Sequence, residues 1–179
     1  MSTIDESNDQ LLTLENIFVA LNKMEGWGEI DSVSMYGSAN PYILVGRGSA
    51  SVLVRYLNAP GEEYEVDQLI SDGSLIELWS MVATELKNLT QDNKIEIYEF
   101  IGSRHFRAGA PKIDSEGTLF LESTLPAEDL SSMYCARYIA EFVDFVDTID
   151  SDIAKRWDGL TIIDEGPDRD QGSANHAEY

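Results

Sequence analysis

Between Ala127 and Trp157, six apolar residues (Cys135, Ile139, Phe142, Val146, Ile149 and Ile153) recur at steps of 4, 3, 4, 3 and 4. That spacing puts them on one side of an α-helix, or of two helices joined near Ile149–Ser151. A stripe of that length has to be covered, so the rest of the chain must supply an apolar surface of matching size. Pro126 fits the first turn, where a missing N–H costs nothing. Glu128 and Asp129 suit the positive end of the helix dipole, and Lys155 and Arg156 the opposite end. Gly159 is the expected left-handed residue beyond the C-terminus.

A second, shorter stripe lies near the start. Leu14, Ile17, Phe18, Leu21 and Met24 predict a helix over Leu11–Glu25, closed by Gly26. The segments between read mostly as strands. Tyr42–Gly46 is a short apolar run. In Ser49–Leu57, Val52, Val54 and Tyr56 alternate with Leu53 and Arg55. Tyr64, Val66 and Gln68 alternate with Glu65, Asp67 and Leu69, after a turn at Asn58–Gly61. Asp72-Gly73 signals a hairpin leading into a strand with Leu75, Glu77 and Trp79 on one side and Ile76 and Leu78 on the other, covered at least in part on both. Val82, Leu86 and Leu89 predict a short helix over Val82–Thr90, and Ile95, Ile97, Tyr98 and Phe100 a further strand. Residues 102–111 read as a loop. Asp114–Gly117 signals a second hairpin, followed by a strand over Thr118–Thr124. Helices at both ends with hairpins between them give an α+β fold, an antiparallel sheet with N-terminal and C-terminal helices packed on it.

The expected organisation is a single α+β domain over residues 11–160 between acidic tails at 1–10 and 161–179. The chain has 179 residues, enough to bury roughly two-thirds of its unfolded surface. Its net charge of −21 argues against binding nucleic acid or an anionic membrane, since phosphates would be repelled. One cysteine excludes an internal disulfide framework, and with only two histidines a Cys/His zinc site is not expected. The N-terminal segment lacks a basic region and an apolar run, and no stretch reaches about 18 apolar residues, so the expectation is a cytoplasmic protein without a membrane partner.

No catalytic signature emerges. Gly46-Arg47-Gly48-Ser49 is short of a dinucleotide-binding loop and reads as a tight hairpin turn. Asp72, Asp114 and Glu116 sit where turns favour short oxygen side chains, without calcium-loop spacing. Asp144, Asp147, Asp150 and Asp152 read as the solvated side of the last helix rather than a cation site. Cys135 lies on the apolar stripe and reads as a small buried hydrophobe. No catalytic, cofactor or metal residue is assigned.

One segment stands out against the acidity. Between Lys94 and Lys112 lie 4 of the 12 basic residues, Lys94, Arg104, Arg107 and Lys112. Arg104, His105, Phe106 and Arg107 are the candidate protein-binding residues, able to receive an acidic partner segment or the chain's own tail. The alternative is pairing with nearby carboxylates, which stabilises little at a surface.

The Asp72-Gly73 hairpin, the short helix ending at Asn93, the hairpin at Ser115-Glu116-Gly117, the strand Thr118–Thr124 and a closing helix with Phe142, Phe145 and Ile149 together resemble the YbjN-like family of bacterial proteins, which share the fold of type III secretion chaperones. The leading helix Leu14–Glu25 suits that pattern, and the resemblance covers about residues 11–155. The chain departs from it in a longer Gly102–Pro111 loop and around 42–70. The resemblance implies a non-enzymatic, chaperone-like or regulatory module that binds another polypeptide, often as a homodimer. The competing expectation is a small-ligand binder or enzyme with a pocket between sheet and helix.

Overall fold

The computed structural model describes residues 12–25, 30–37, 41–57, 74–104, 111–127 and 130–161. In chain order the elements are α1 (Leu14–Asn22), β1 (Ser32–Tyr36), β2 (Tyr42–Arg47), β3 (Ala50–Leu57), β4 (Leu75–Ala83), α2 (Gln91–Gly102), β5 (Pro111–Ile113), β6 (Leu119–Pro126) and α3 (Ser132–Arg156). The strands form one antiparallel sheet in the order β1-β2-β3-β4-β6-β5. This is the α+β arrangement expected, with α1 and α3 packed on the sheet and on each other.

The long stripe forms one uninterrupted helix. Cys135, Ile139, Phe142, Val146, Ile149 and Ile153 are all fully buried in α3, which lies across β2, β3 and β4. Against them the sheet presents Ile43, Val45, Val52, Val54, Ile76 and Leu78, also fully buried. Burying each such side chain contributes about 1.5–3 kcal/mol, so this interface dominates the stability.

The ends of α3 differ from expectation. Pro126 closes β6 rather than opening the helix, because it pairs with Leu75 at the end of the ladder. The helix starts later, where the Ser131 hydroxyl accepts the Tyr134 N–H at 3.2 Å as an N-cap. At the other end Asp158, not Gly159, takes the left-handed conformation, with φ 52°. The Gly159 N–H then donates to the Ala154 carbonyl at 2.8 Å, closing a Schellman motif. Gly159 is needed for close approach instead, since a Cβ there would lie 2.8 Å from the Thr84 carbonyl oxygen.

Two elements between β4 and β6 overturn the sequence reading. The expected helix over Val82–Thr90 is not formed. β4 continues to Ala83 because its ladder with β6 extends through a bulge to an Ala83–Leu119 pair. Glu85 and Asn88 then take positive φ, which no helix accommodates. The expected strand over Ile95–Phe100 is instead the helix α2. Thr90 caps it, accepting the Asn93 N–H at 3.2 Å. Ile97 and Ile101, one helical turn apart, are buried, while Ile95 and Tyr98 face outward at 45 % and 37 % exposure. The alternation that suggested a strand therefore had no inward and outward side.

The structure also adds β1, which sequence reading did not assign. Its hairpin partner was recognised, and the Gly46–Ser49 turn is the tight β2–β3 connection expected, with Arg47 paired to Ala50 and Gly48 at φ 50°. The Asp114–Gly117 turn joins β5 to β6 as expected. There Asp114 Oδ1 accepts the N–H groups of Glu116 and Thr118, each at 2.9 Å. The turns and caps expected at Gly26, Asn58–Gly61, Asp72-Gly73, Glu128 and Asp129, and the strand expected over Tyr64–Leu69, lie outside the described residues.

Candidate functional site

Alternation along the strands gives the sheet two unlike faces. Side chains under α1 and α3 are buried; among the described residues no helix lies over the other face. The register places Tyr36, Tyr42, Arg55 and Glu77 in one cross-strand row on that open face, and Leu44, Leu53, Trp79 and Glu122 in the next. Met81, Phe120 and Lys112 form a third. Tyr36 and Tyr42 stack with ring centroids 5.4 Å apart, and Trp79 and Phe120 at 5.0 Å. Tyr36 is 47 % exposed, and Leu44, Leu53, Trp79, Met81 and Phe120 are each half-buried.

Charge on this face is held in pairs. Arg55 donates to Glu77 across β3 and β4, and Lys112 to Glu122 across β5 and β6. The centre between them is aromatic and aliphatic. Monomeric proteins seldom leave a contiguous apolar surface of this kind without use for it. Sequence reading located the strands carrying these residues but not their exposure, because an apolar residue outside a helix stripe looks the same whether covered or open. The edges of the sheet differ too. β5 is short, begins with Pro111 and carries Lys112, features that discourage further strand pairing. β1, reading SVSMY, has neither proline nor charge.

A second polar constellation sits where the β2–β3 turn meets α3. The Gly48 N–H donates to Asp31 Oδ2 at 2.7 Å, and the Ser49 N–H to Asp147 Oδ1 at 3.0 Å. The Ser49 hydroxyl donates to Asp150 Oδ2 at 2.5 Å and lies 3.4 Å from Asp147 Oδ1. Arg47 bridges to Asp144 at 2.9 Å and to Asp147 at 3.7 Å. The expectation of a solvated helix face thus fails at Asp150, which is 1 % exposed. Asp144 and Asp152 do face solvent. Burial pushes the Asp150 carboxyl above the usual aspartate range, against the hydrogen bonds from Ser49 and Ser151 that favour its charged form. The sequence held no sign of this, since the turn that buries Asp150 is about a hundred residues away.

Of the candidate binding residues, Arg104 lies just beyond α2. Its guanidinium pairs with Asp152 at 3.0 Å and sits 4.6 Å from the centre of the Phe100 ring. Arg156 approaches the other ring of a Phe100–Trp157 edge-to-face pair, 4.8 Å from Trp157. Arg104 is thus held within the chain, while His105, Phe106 and Arg107 lie outside the described residues. Cys135 is fully buried, and burial pushes its thiol up to about 12, so it is a packing residue rather than a nucleophile. Among the described residues no group of three acidic, histidine or cysteine side chains is placed to hold a metal ion, and no helix is long and apolar enough to cross a membrane. No protein-family model and no curated protein matches the chain.

Proposed function

We infer that this protein is a non-enzymatic polypeptide-binding module of chaperone-like or regulatory type. The observation that carries the reading is the sheet face over which no helix lies among the described residues, where Leu44, Leu53, Trp79, Met81 and Phe120 form a half-buried apolar centre bordered by paired charges. The resemblance to the YbjN-like family points the same way. The space between sheet and α3 supports it as well, being filled from both sides mainly by fully buried apolar side chains.

The occupant that fits is a polypeptide segment with apolar side chains on one side and flanking lysines or arginines. Its apolar side meets the aromatic centre, and its basic flanks meet a chain of net charge −21. A second copy would bring the same negative charge to the interface. The test is a fluorescence-anisotropy titration with a labelled peptide that alternates leucine and lysine. Leu53→Ser with Trp79→Ala weakens binding at least about tenfold while the thermal melt stays cooperative; loss of a central aromatic anchor is commonly that large. Equal affinity in the variant overturns the assignment. Sedimentation showing a dimer that dissociates on the same two changes assigns the face to a second copy instead.

A further inference from the structure

Ser49 stands between two carboxylates with one hydroxyl hydrogen to give. Its oxygen lies 2.5 Å from Asp150 Oδ2 and 3.4 Å from Asp147 Oδ1. With both acids ionised, that hydrogen satisfies Asp150 and leaves Asp147 only the Ser49 N–H and the more distant Arg47. We propose that the Ser49–Asp147–Asp150 cluster is a proton-tightened latch between the β2–β3 hairpin and α3.

A proton placed on Asp150 changes the count of donors. Asp150 then donates to Ser49 Oγ, and the Ser49 hydroxyl turns to Asp147, so one chain of hydrogen bonds runs Asp150 to Ser49 to Asp147. Each hydroxyl hydrogen along it is used, and one of two neighbouring negative charges is gone. The position of Asp150 favours this, since it is 1 % exposed and an ionised carboxylate is costly there.

The surrounding charges leave Asp150 as the group that takes the proton. From β2, Arg47 reaches Asp144 and Asp147 rather than Asp150. Ahead of β1, Asp31 is occupied by the Gly48 N–H. On β3 and β4, Arg55 and Glu77 pair with each other on the opposite face of the sheet. α1 contributes buried Leu14, Ile17 and Leu21, and its acid Glu15 is exposed. On α3 itself Asp144 is half-exposed, and Asp152 is engaged by Arg104. The hairpin held by the latch carries Tyr42, Leu44 and Leu53 of the open face, so the latch governs how firmly that part of the face is fixed.

The experiment is an NMR titration of the full chain that follows the Asp150 side-chain carboxyl carbon and the exchange of the Ser49 amide, corrected for intrinsic exchange. Asp150 titrates above the ordinary aspartate range, and Ser49 protection rises as pH falls across that titration, by up to about tenfold per pH unit for a one-proton linkage. In Asp150→Asn the amide of residue 150 supplies the hydrogen permanently, so Ser49 protection is high and independent of pH. In Asp147→Asn the Asp150 titration moves toward the ordinary range. Flat Ser49 protection in the wild type, or an unchanged pH dependence in Asp150→Asn, overturns the latch.

Discussion

Gly117 and Leu86 touch through their backbones. The Leu86 N–H donates to the Gly117 carbonyl at 3.0 Å, and a Cβ on Gly117 would lie 2.6 Å from the Leu86 carbonyl oxygen. Gly117 also has φ 84°, where any side chain is strained. Through this contact the β5–β6 turn fixes the connection that leaves β4, in a stretch where Glu85 and Asn88 already turn against helix.

Replacing Gly117 by alanine therefore costs about 2–4 kcal/mol, combining left-handed strain with the displacement of Leu86. Gly102 provides the contrast. It ends α2, and a Cβ there meets nothing within 4 Å. Gly102→Ala is neutral or stabilising by up to about 1 kcal/mol. Urea melts of the two variants check the pair, and equal midpoints would contradict the Gly117–Leu86 contact.

Phe142→Ala removes the largest fully buried side chain of α3 and costs about 3–5 kcal/mol. Tyr134, on the same helix but 53 % exposed, changes stability by less than about 0.5 kcal/mol when replaced by alanine. Calorimetric melts distinguish a helix docked by its stripe, which gives this inequality, from one held evenly around its girth.

Asp150 sets a pH dependence opposite to that of a salt-bridged acid. Burial raises its folded-state value above the unfolded one, so the native chain binds this proton more tightly. Its stabilising contribution is complete below the unfolded value and is lost as pH rises through the folded value. Asp150→Asn escapes that loss. Its melting temperature exceeds the wild type's at pH 8, and the gap narrows as the pH approaches 4. A gap that widened toward acid would mean that Asp150 is stabilised as an anion.

Binding of the leucine–lysine peptide falls as salt rises, because the attraction between basic flanks and the net negative chain is screened, with a Debye length near 8 Å at about 0.15 M. Leu53→Ser lowers affinity without altering that slope. Anisotropy titrations across salt concentrations separate the two contributions. A salt-independent affinity would remove charge from the recognition.

The α+β class, α1, α3 and the two described hairpins were legible because each rests on a local signal, a helical stripe or a turn with its own side-chain bonds. The β4–α2 region was not. Val82, Leu86 and Leu89 have helical spacing, yet Val82 sits at the bulge of a ladder that ends in the Ala83–Leu119 pair, whose second strand lies beyond the next helix, and pairing across that distance overrides propensity. Ile95 and Ile97 alternate like a strand, yet Ile97 and Ile101 are the pair that is buried. At the candidate site the same limit applies. Trp79 and Leu53 were placed on strands, but which strand face the helices leave open is decided by tertiary packing, as is the burial of Asp150 by a distant turn.

The position of β4 has a consequence for the order in which the molecule assembles. β1 to β4 pair in sequence as a meander, whereas the other neighbour of β4 is β6, which is made only after α2 and β5. During synthesis, the sheet therefore waits with only α1 against β1 and β2 until the 25-residue helix α3 arrives to cover the rest of that face. A ribosome stalled before α3 leaves a nascent chain whose apolar strand faces are all in place and whose main cover is missing, which makes this interval a hazardous one for aggregation.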